Sequence, residues 1–288
     1  MNLYEQQKGK TLDKLPKSNK FNTTEYLVST KYDGNRIFIV KDKDTVRFFT
    51  SDWKEFNLPY NYDELLNNNE DFVLEAELNY GCIGKLGDRP KSAIITTWRT
   101  DFNKGLKSRT PGLEVSIRVF DIVFLKDSIV QDLNFNYMYR LAWIGVLKLP
   151  RYMKVITTTK MLGYDAIQMA KNHVKDGWEG LMCVEPSSHY TYGKRGNHIV
   201  KLKYRKTADL LCIGIEAGEG KYIGMVGSLV LKDSVGRIVK VGSGLDDVDR
   251  SIKIDYVGKI IEIEYEQILD TYIQPTFVRI RYDKHLSD

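Results

Sequence analysis

The hydrophobic positions in residues 1–205 form short continuous or alternating runs rather than long helical repeats. These runs are rich in Val, Ile, Phe and Tyr and are bounded by Gly, Asp, Asn or Lys, a pattern that indicates β-strands. Three other segments favour helices, and in the last of them the apolar residues recur at near-helical spacing. The predicted strands are Ile37–Val40, Val46–Thr50, Phe72–Leu78, Val115–Phe124, Gly180–Val184 and Ile199–Leu202, and the predicted helices are Tyr62–Asn67, Asn136–Leu147 and Tyr164–Asp176.

The pattern changes after Arg205 to short apolar runs separated by glycine-containing turns. Five such runs before the C-terminus predict a small closed β-barrel. We therefore expect an α+β domain with antiparallel sheets over residues 1–205 and a small OB-fold β-barrel over residues 206–288, with the boundary near 205–209. The five runs are Leu210–Ile215, Met225–Leu231, Ile238–Val241, Lys259–Tyr265 and Phe277–Arg281.

Length and composition agree with a folded, soluble protein. The 288 residues suit one large domain or two unequal ones, and 11% aromatic residues are too many for a disordered chain. The sequence contains neither the roughly 18 consecutive apolar residues of a membrane span nor an N-terminal secretory signal. Cys82, Cys183 and Cys212 lie far apart without metal-ligand spacing. They exclude a disulfide framework and a zinc site, and they favour a reducing cytoplasm.

The formal charge of +5 is unevenly distributed. Residues 1–205 carry 32 Lys and Arg against 24 Asp and Glu, whereas residues 206–288 carry 11 against 14. The positive charge concentrates in residues 85–109 and 194–206. Such clusters favour a polyanion partner, because bound cations release condensed counterions from a phosphate backbone. A solvated charged surface is the alternative interpretation.

The segment Lys31-Tyr32-Asp33-Gly34-Asn35-Arg36 precedes a predicted strand, and its glycine allows a tight bend beside a ligand. Taken alone, its lysine could be a surface residue on a turn. Further segments with chemically active side chains follow, and in one of them two lysines share a strand face because they are two positions apart. These segments are Leu74–Leu78, Val119–Asp121, Glu179–Met182, Lys201–Lys203 and Pro275–Lys284.

In this order and spacing the segments resemble the motifs of ATP-dependent DNA ligases. That family belongs to the covalent nucleotidyltransferase superfamily, which also contains RNA ligases and mRNA capping enzymes. The resemblance covers about residues 25–284 and is strongest to the minimal ligases of large viruses and phages. It implies a nucleotidyltransferase (ATP-grasp-like ligase) domain followed by an OB-fold domain. It also implies sealing of nicks in duplex DNA, in repair, replication or recombination, by a cytoplasmic monomer without membrane contact.

The resemblance makes Lys31 the residue that is adenylated by ATP, and it places Arg36 at the ribose. An amine suits this role because it forms a phosphoramidate with AMP that can later be expelled. A free lysine has a pKa of about 10.4, so nearby cations or Mg²⁺ must lower the cost of keeping it neutral.

The resemblance also assigns acids, an aromatic ring and phosphate-binding groups. Glu77 and Glu179 serve the ribose and a metal ion, Mg²⁺ or Mn²⁺, which prefers oxygen ligands. Glu75 shares a strand face with Glu77 and is a second candidate acid, with a solvent-facing side chain as the alternative. Phe120 stacks on adenine unless it is an ordinary core residue. The remaining assignments are Ser29 and Thr30 at the adenine edge, Lys201 and Lys203 at the phosphates, and Arg281, Asp283 and Lys284 at the pyrophosphate leaving group.

Three features depart from the family pattern or extend it. Relatives usually carry Ser-Arg after the first strand pair, with the arginine on a phosphate, whereas Asp52 follows Ser51 here. Lys54 can supply part of this phosphate contact, but it lacks the bidentate guanidinium of an arginine. The turn from Glu216 to Met225 is too short for a DNA-wrapping hairpin, so clamping rests on the basic clusters, chiefly residues 85–109. Use of the C-terminal motif on pyrophosphate requires a hinge near residues 206–208.

Three alternatives stay open at the level of sequence. A capping guanylyltransferase shares the Lys-x-Asp-Gly element, although the Glu179-Gly180 pair favours a ligase because capping enzymes usually have Asp-Gly there. An RNA ligase would also use ATP, but such enzymes typically lack the OB domain. A binding protein with a decayed transferase domain is the third, and intact Lys31, Glu77 and Arg281 argue against it.

Overall fold

The computed structural model describes residues 5–80, 93–108, 114–125, 128–129, 134–268 and 270–284. It divides into two compact units, residues 1–204 and 205–288. Cys82 and much of the predicted basic cluster, residues 85–92 and 109, lie outside the described residues. Within the described part of the chain, no helix is long and apolar enough to cross a membrane.

The first unit contains two sheets and four α-helices in the residues that are described. Two short 3₁₀ helices, Leu12–Lys14 and Phe21–Thr23, precede the second strand. The helices are α1 (Asp63–Leu66), α2 (Ala93–Asn103), α3 (Tyr137–Gly145) and α4 (Gly163–Lys175). The strands are β1 (Lys8–Thr11), β2 (Glu25–Thr30), β3 (Asn35–Asp42), β4 (Thr45–Thr50), β5 (Glu55–Phe56), β6 (Phe72–Tyr80), β7 (Val115–Leu125), β8 (Ser128–Ile129), β9 (Met153–Val155), β10 (Thr159–Leu162), β11 (Leu181–Val184) and β12 (Arg195–Leu202).

The larger sheet has the order β5-β4-β3-β6-β7-β8, with β9 added beside β7, and the smaller sheet has the order β1-β12-β11-β2-β10. Their pairings are antiparallel except for β1 with β12 and β7 with β9. The chain passes from the smaller sheet into the larger one between β2 and β3. The segment from Lys31 to Gly34 makes this passage, and so the topology carries it between the two sheets.

Helices cover the sheets and explain why the strands are so apolar. Four successive residues of β3, Ile37–Val40, are all buried, because both faces of the larger sheet are packed. Trp98 of α2 and Ile144 of α3 belong to that core. On the smaller sheet, α4 packs through Ala166 and Ala170, whose small side chains permit close approach.

The strands of the second unit are β13 (Lys206–Ala217), β14 (Val226–Lys232), β15 (Ile238–Val241), β16 (Ile260–Tyr265), β17 (Gln267–Ile268), β18 (Tyr272–Ile273) and β19 (Thr276–Ile280). Five of them form an antiparallel sheet of order β15-β14-β13-β16-β19, and β17 and β18 form a separate small hairpin. Alternate residues of β16, Ile261, Ile263 and Tyr265, face the core of this unit. A backbone hydrogen bond of 2.8 Å from Phe277 to Ser243 joins β19 to the segment that follows β15. A short 3₁₀ helix at Gly220–Tyr222 lies between β13 and β14.

The expectation of an α+β protein with mainly antiparallel sheets is confirmed, and every strand and helix predicted above is present. Several short elements were not predicted. They are the strands β1, β2, β5, β8, β9, β10, β17 and β18 and the helix α2, most of which have mixed polarity and few residues with strong local signals.

Candidate active site

A cavity of about 250 Å³ lies between the two sheets of the first unit. Its volume is just below the roughly 300–1,000 Å³ that is typical of small-molecule sites. Strands from both sheets line it, since the chain crosses between them at this point. Seven of the sequence-predicted site residues are in its wall, namely Ser29, Thr30, Lys31, Arg36, Glu77, Phe120 and Lys201.

Lys31 follows β2 directly, and its backbone N–H donates to the carbonyl of Gly180 at 2.8 Å. Its Nζ lies 2.5 Å from Oε2 of Glu179, and the other carboxylate oxygen of Glu179 pairs with Lys203. Burial alone would raise the pKa of Glu179, but the two ammonium groups together hold it below its ordinary value. The structure thus brings three residues that are remote in sequence to one point.

Gly34 lies against β6, where its N–H donates to Oε1 of Glu77 at 3.0 Å. A Cβ atom at this position would lie 2.5 Å from both the carbonyl oxygen of Leu78 and Nδ2 of Asn79. The glycine is therefore needed for this close approach, which the sequence interpretation attributed to a tight bend. Burial raises the pKa of Glu77 to about 7, although Lys31 and Arg36 partly oppose the shift.

Arg36 is held by buried partners. Its Nη2 lies 2.5 Å from Oε2 of Glu75, and its Nη1 donates to the carbonyl of Gln7 at 3.0 Å. The hydroxyl of Tyr190 donates to the other oxygen of Glu75 at 2.7 Å. Glu75 is fully buried, so the solvent-facing alternative for this acid is wrong. Because Arg36 and Tyr190 occupy its two oxygens, Glu75 serves to position Arg36.

Phe120 is half-buried in the wall of the cavity, so it is not an ordinary core residue of β7. The guanidinium carbon of Arg36 lies 5.2 Å from its ring centroid. The next residue, Asp121, is buried in the cavity wall and is held by Nε of Arg140 at 2.7 Å and Nε2 of Gln7 at 2.9 Å. This network fixes β7 in place behind the aromatic ring.

Ser29 and Thr30 end β2 beside the cavity. Ser29 is buried opposite Met182 of β11. The hydroxyl of Thr30 lies 3.1 Å from Nε2 of His173, whose ring stacks on Trp178 with centroids 5.1 Å apart. The Thr30 hydroxyl is thus engaged by α4 as well as lying in the cavity wall.

Lys201 and Lys203 extend from the end of β12. Lys203 pairs with Glu179, whereas Lys201 makes no ion pair with any carboxylate that the structure describes. Burial and the neighbouring charges of Lys31 and Lys203 lower the pKa of Lys201 to about 8. A partly desolvated cation of this kind is suited to an anionic ligand.

The predicted residues of the C-terminal motif belong to the second unit and form one cluster. The Arg281 guanidinium binds both oxygens of Asp209 at 2.9 and 3.0 Å and both oxygens of Asp283 at 2.7 and 2.8 Å. Lys284 Nζ lies 2.7 Å from Asp209. Asp209, on β13, was not predicted from the sequence.

Sequence reasoning also missed Gln7, Tyr32, Arg118 and His173. Gln7 immediately precedes β1, and its main chain and side chain contact Arg36, Asp121 and Thr191. No local pattern marks it, because β1 is only four residues long and partly polar. Tyr32 follows Lys31 in the chain, and this adjacency was the only sequence feature that indicated a place for Tyr32 at the site.

A lysine held against a glutamate at a cavity between two such sheets, with a small antiparallel β-domain following, defines the class of covalent nucleotidyltransferases. A family model described as the ATP-dependent DNA ligase domain matches residues 8–203, and one for the DNA ligase OB-like domain matches residues 217–281. The chain belongs to the ATP-dependent DNA ligase family. The family resemblance and the fold class inferred from the sequence are thereby confirmed.

Curated relatives include a DNA ligase of Methanothermobacter thermautotrophicus, 25% identical over 268 residues, which covers 84% of this chain and 46% of the relative. A DNA ligase of Methanosphaerula palustris is 29% identical over 236 residues, covering 77% of this chain and 40% of the relative. The chain therefore spans less than half the length of these two relatives.

Solved structures support the fold. A structure from a study of DNA binding with a minimal scaffold by Lig E DNA ligases aligns with a TM-score of 0.72 at 22% identity, covering 97% of this chain and all of that chain. The ligase domain of LigD from M. tuberculosis aligns with a TM-score of 0.51 at 19% identity, covering 99% of this chain and 97% of that chain. Both units of this chain thus have counterparts of known structure.

Proposed function

We propose that the chain is an ATP-dependent DNA ligase that seals 3′-hydroxyl/5′-phosphate nicks in duplex DNA through a lysyl-AMP and a DNA-adenylate. Residues 1–205 act as the adenylation domain and residues 206–288 as the OB-fold domain. The proposal rests on family membership and chiefly on one observation. The Nζ of Lys31 lies in the wall of a small-molecule cavity, 2.5 Å from a nearly buried glutamate.

In the first step, Nζ of Lys31 attacks the α-phosphorus of ATP. A nitrogen–phosphorus bond forms, and the bond to the pyrophosphate oxygen breaks. The amine must lose its proton first, and the ion pair with Glu179 must open before attack. Lys203 supports this opening because it remains as a second counter-charge for Glu179.

The nucleotide is held by side chains from both sheets. Phe120 stacks on adenine, and the main chain and hydroxyls at Ser29 and Thr30 read its edge. Arg36 and Glu77 bind the ribose. Support for these roles comes from the half-buried Phe120 ring in the cavity wall and from the fixed position of Arg36 between Glu75 and Gln7.

Cationic groups neutralise the phosphates, where positioning and charge matter more than proton transfer. Lys201 and Lys203 act on the α-phosphate. Arg281, Asp283 and Lys284 act on the departing pyrophosphate, which requires the second unit to close over the first at a hinge near residues 206–208 and to reopen for DNA. AMP then moves to the 5′-phosphate of the nick, and the 3′-hydroxyl displaces it.

The acids of the site fit a magnesium or manganese ion. No group of three or more His, Cys, Asp and Glu side chains is gathered among the residues that the structure describes. Mg²⁺ nevertheless keeps several waters and needs only one or two carboxylates beside phosphate oxygens. Glu77 and Glu179 would supply those carboxylates, and the metal would supply charge neutralisation at the phosphates.

The first experiment incubates the protein with α-³²P-labelled ATP and Mg²⁺ and looks for a covalent AMP adduct. Lys31→Ala should abolish the adduct. Lys160→Ala is the matched control, since Lys160 is an exposed lysine paired with Glu25 and should not matter. An adduct that persists in Lys31→Ala would remove Lys31 from its role.

The second experiment measures sealing of nicked duplexes in all four DNA and RNA strand combinations. We expect all-DNA nicks to be sealed with ATP. Preferential sealing of RNA nicks, or an adduct formed with GTP instead of ATP, would contradict the proposed function.

Size-exclusion chromatography with light scattering tests the expected monomer, and fractionation of the source cells tests the cytoplasmic location.

A further inference from the structure

Arg118 lies on β7 two residues before Phe120. Along this strand Ile117 and Val119 are fully buried, whereas Arg118 and Phe120 are half-buried, so these two side chains share the opposite face. Phe120 on that face lines the cavity. Arg118 is also the direct cross-strand partner of Glu77 on β6. Its backbone position is therefore next to two residues of the candidate active site.

The Arg118 side chain contacts Tyr32, the neighbour of Lys31 in the chain. Its guanidinium carbon lies 5.4 Å from the ring centroid of Tyr32, the residue that follows Lys31. The ring of Tyr32 in turn contacts Trp178 edge to face at 6.1 Å. A guanidinium that lies over an aromatic ring contacts the ring through the face of the guanidinium group. The N–H donors lie in the guanidinium plane and remain available for a ligand.

Most cations that the structure describes near Lys31 are paired with a carboxylate, and Arg118, like Lys201, is not. Lys31 and Lys203 share Glu179, Arg36 pairs with Glu75, and Arg140 pairs with Asp121. Within the described part of the chain, Arg118 makes no ion pair, and its Nε is buried without a hydrogen-bond acceptor. Buried polar groups normally have a partner, and a bound ligand can supply the one that is missing here.

We propose that Arg118 binds a phosphate group of the substrate beside Lys31. Its planar fork matches two phosphate oxygens, which a lysine cannot do. The phosphate belongs either to the 5′ end of the nick or to ATP. Asp52 is an exposed acid, so its side chain cannot bind a phosphate in place of Arg118. The inference rests on the proposed function, because it takes its ligand from that reaction.

The test measures binding, so that its result does not depend on sealing. Wild type, Arg118→Ala and Arg118→Lys are titrated with nicked duplex that carries either a 5′-phosphate or a 5′-hydroxyl, at several salt concentrations. They are also titrated with inorganic tripolyphosphate. Arg47→Ala is the matched control, because Arg47 is likewise half-buried and lies 5.6 Å from the ring of Phe49. It belongs to β4, which contributes no residue to the cavity wall, whereas Arg118 belongs to β7 with Phe120.

If the ligand is the nick, Arg118→Ala loses the preference for a 5′-phosphate. Its log–log salt slope falls by about 0.9 with 5′-phosphate duplex only, as for one lost phosphate contact. If the ligand is ATP, tripolyphosphate binding weakens at least tenfold and the 5′-phosphate preference stays. In either case Arg118→Lys should lie between wild type and Arg118→Ala, and Arg47→Ala should match wild type.

The inference is overturned if Arg118→Ala binds all three probes as wild type does, or if Arg47→Ala loses as much affinity. It is also overturned if wild type neither prefers a 5′-phosphate nor binds tripolyphosphate. Failure of the proposed function has a different signature, namely wild-type protein that forms no AMP adduct and seals no nick. The two failures can therefore be told apart.

Discussion

Lys31 and Glu179 are 148 positions apart in the chain, and their charged atoms are 2.5 Å apart in the fold. Two other residues of the site show why a particular residue type is required at its position. Gly34 must have no side chain because β6 lies against it, and Glu75 must be an acid because Arg36 and Tyr190 both bind it. These requirements lead to two predictions for single residues.

Gly34→Ala should displace the Lys31 segment from β6, since the added carbon would meet backbone at 2.5 Å. We expect a loss of about 1–3 kcal/mol in the free energy of unfolding, as for overpacked sites, together with loss of most AMP-adduct formation. Urea unfolding and the labelled-ATP assay measure the two effects. Gly145→Ala, where a Cβ would meet no atom, should be neutral or slightly stabilising. A fully active Gly34→Ala protein would contradict the close approach.

Glu77 should make stability depend on pH. Its pKa rises to about 7 in the folded protein because of burial, against about 4.5 when unfolded. Between these values the folded state holds more protons than the unfolded state, so stability falls as pH rises from 4.5 to 7.

Glu77→Gln removes this dependence. The variant should be more stable than wild type by about 1–3 kcal/mol at pH 8 and no more stable at pH 4.5, although it loses activity. Urea unfolding at both pH values measures this, with Glu25→Gln, an exposed acid, as the control. An equal effect at both pH values would mean that the charge of Glu77 is not the cause.

At the scale of elements, the turn after β4 has an acid where the family resemblance led us to expect a phosphate-binding arginine. Asp52 is exposed there, and the neighbouring Trp53 stacks on Phe38 with centroids 4.3 Å apart. This packing fixes the turn as part of the larger sheet. A change of charge at position 52 should therefore act through its ligand contacts and leave the fold intact.

Asp52→Arg should strengthen binding to nicked DNA, because it replaces a repelling acid with a phosphate-binding group. The log–log slope of affinity against salt should steepen by about 0.9 for one new contact. Asp44→Arg, an exposed acid in the β3–β4 turn, controls for the change in total charge. The same gain in both variants, or no gain at position 52, would mean that this turn does not face the nick.

At the scale of the whole molecule, the residues proposed to act on ATP are divided between two units. The first contains the cavity and Lys31, and the second contains the cluster of Arg281, Asp283, Lys284 and Asp209. In this cluster the Arg281 guanidinium binds Asp209 and Asp283 and also lies 3.8 Å from Glu262. A role on pyrophosphate requires Asp209 to give up at least part of this contact when the substrate binds.

Arg281→Ala should therefore lose sealing that starts from ATP, by roughly 100-fold or more, as for the loss of a charge-stabilising donor. It should largely keep sealing of a nick that is already adenylated, because pyrophosphate has left by then. Arg279→Ala is the control, since Arg279 is an exposed arginine two residues before Arg281 and pairs with Glu262 at 2.7 Å. Equal damage to both reactions would indicate a defect in folding or DNA binding.

The sequence by itself determined the local elements and the family. The runs that predicted β3, β4, β6, β7 and the strands of the second unit lie where the structure has strands, because alternating or continuous apolar residues have few other ways to be buried. The order of the motifs from Lys31 to Lys284 indicated the ligase family. The strand predictions and the family assignment both depend on residues that are neighbours along the chain, and a sequence displays these directly.

Only the tertiary structure decided which polar side chains meet. Glu75 finds Tyr190 at a separation of 115 positions, and Gln7 reaches Asp121 across 114 positions. The sequence allowed Glu75 to face solvent and gave no signal for Gln7, Arg118 or Asp209. A side chain's partner depends on which strands pair and in which register, and that choice is made by the packing of the whole unit, so no local pattern can reveal it.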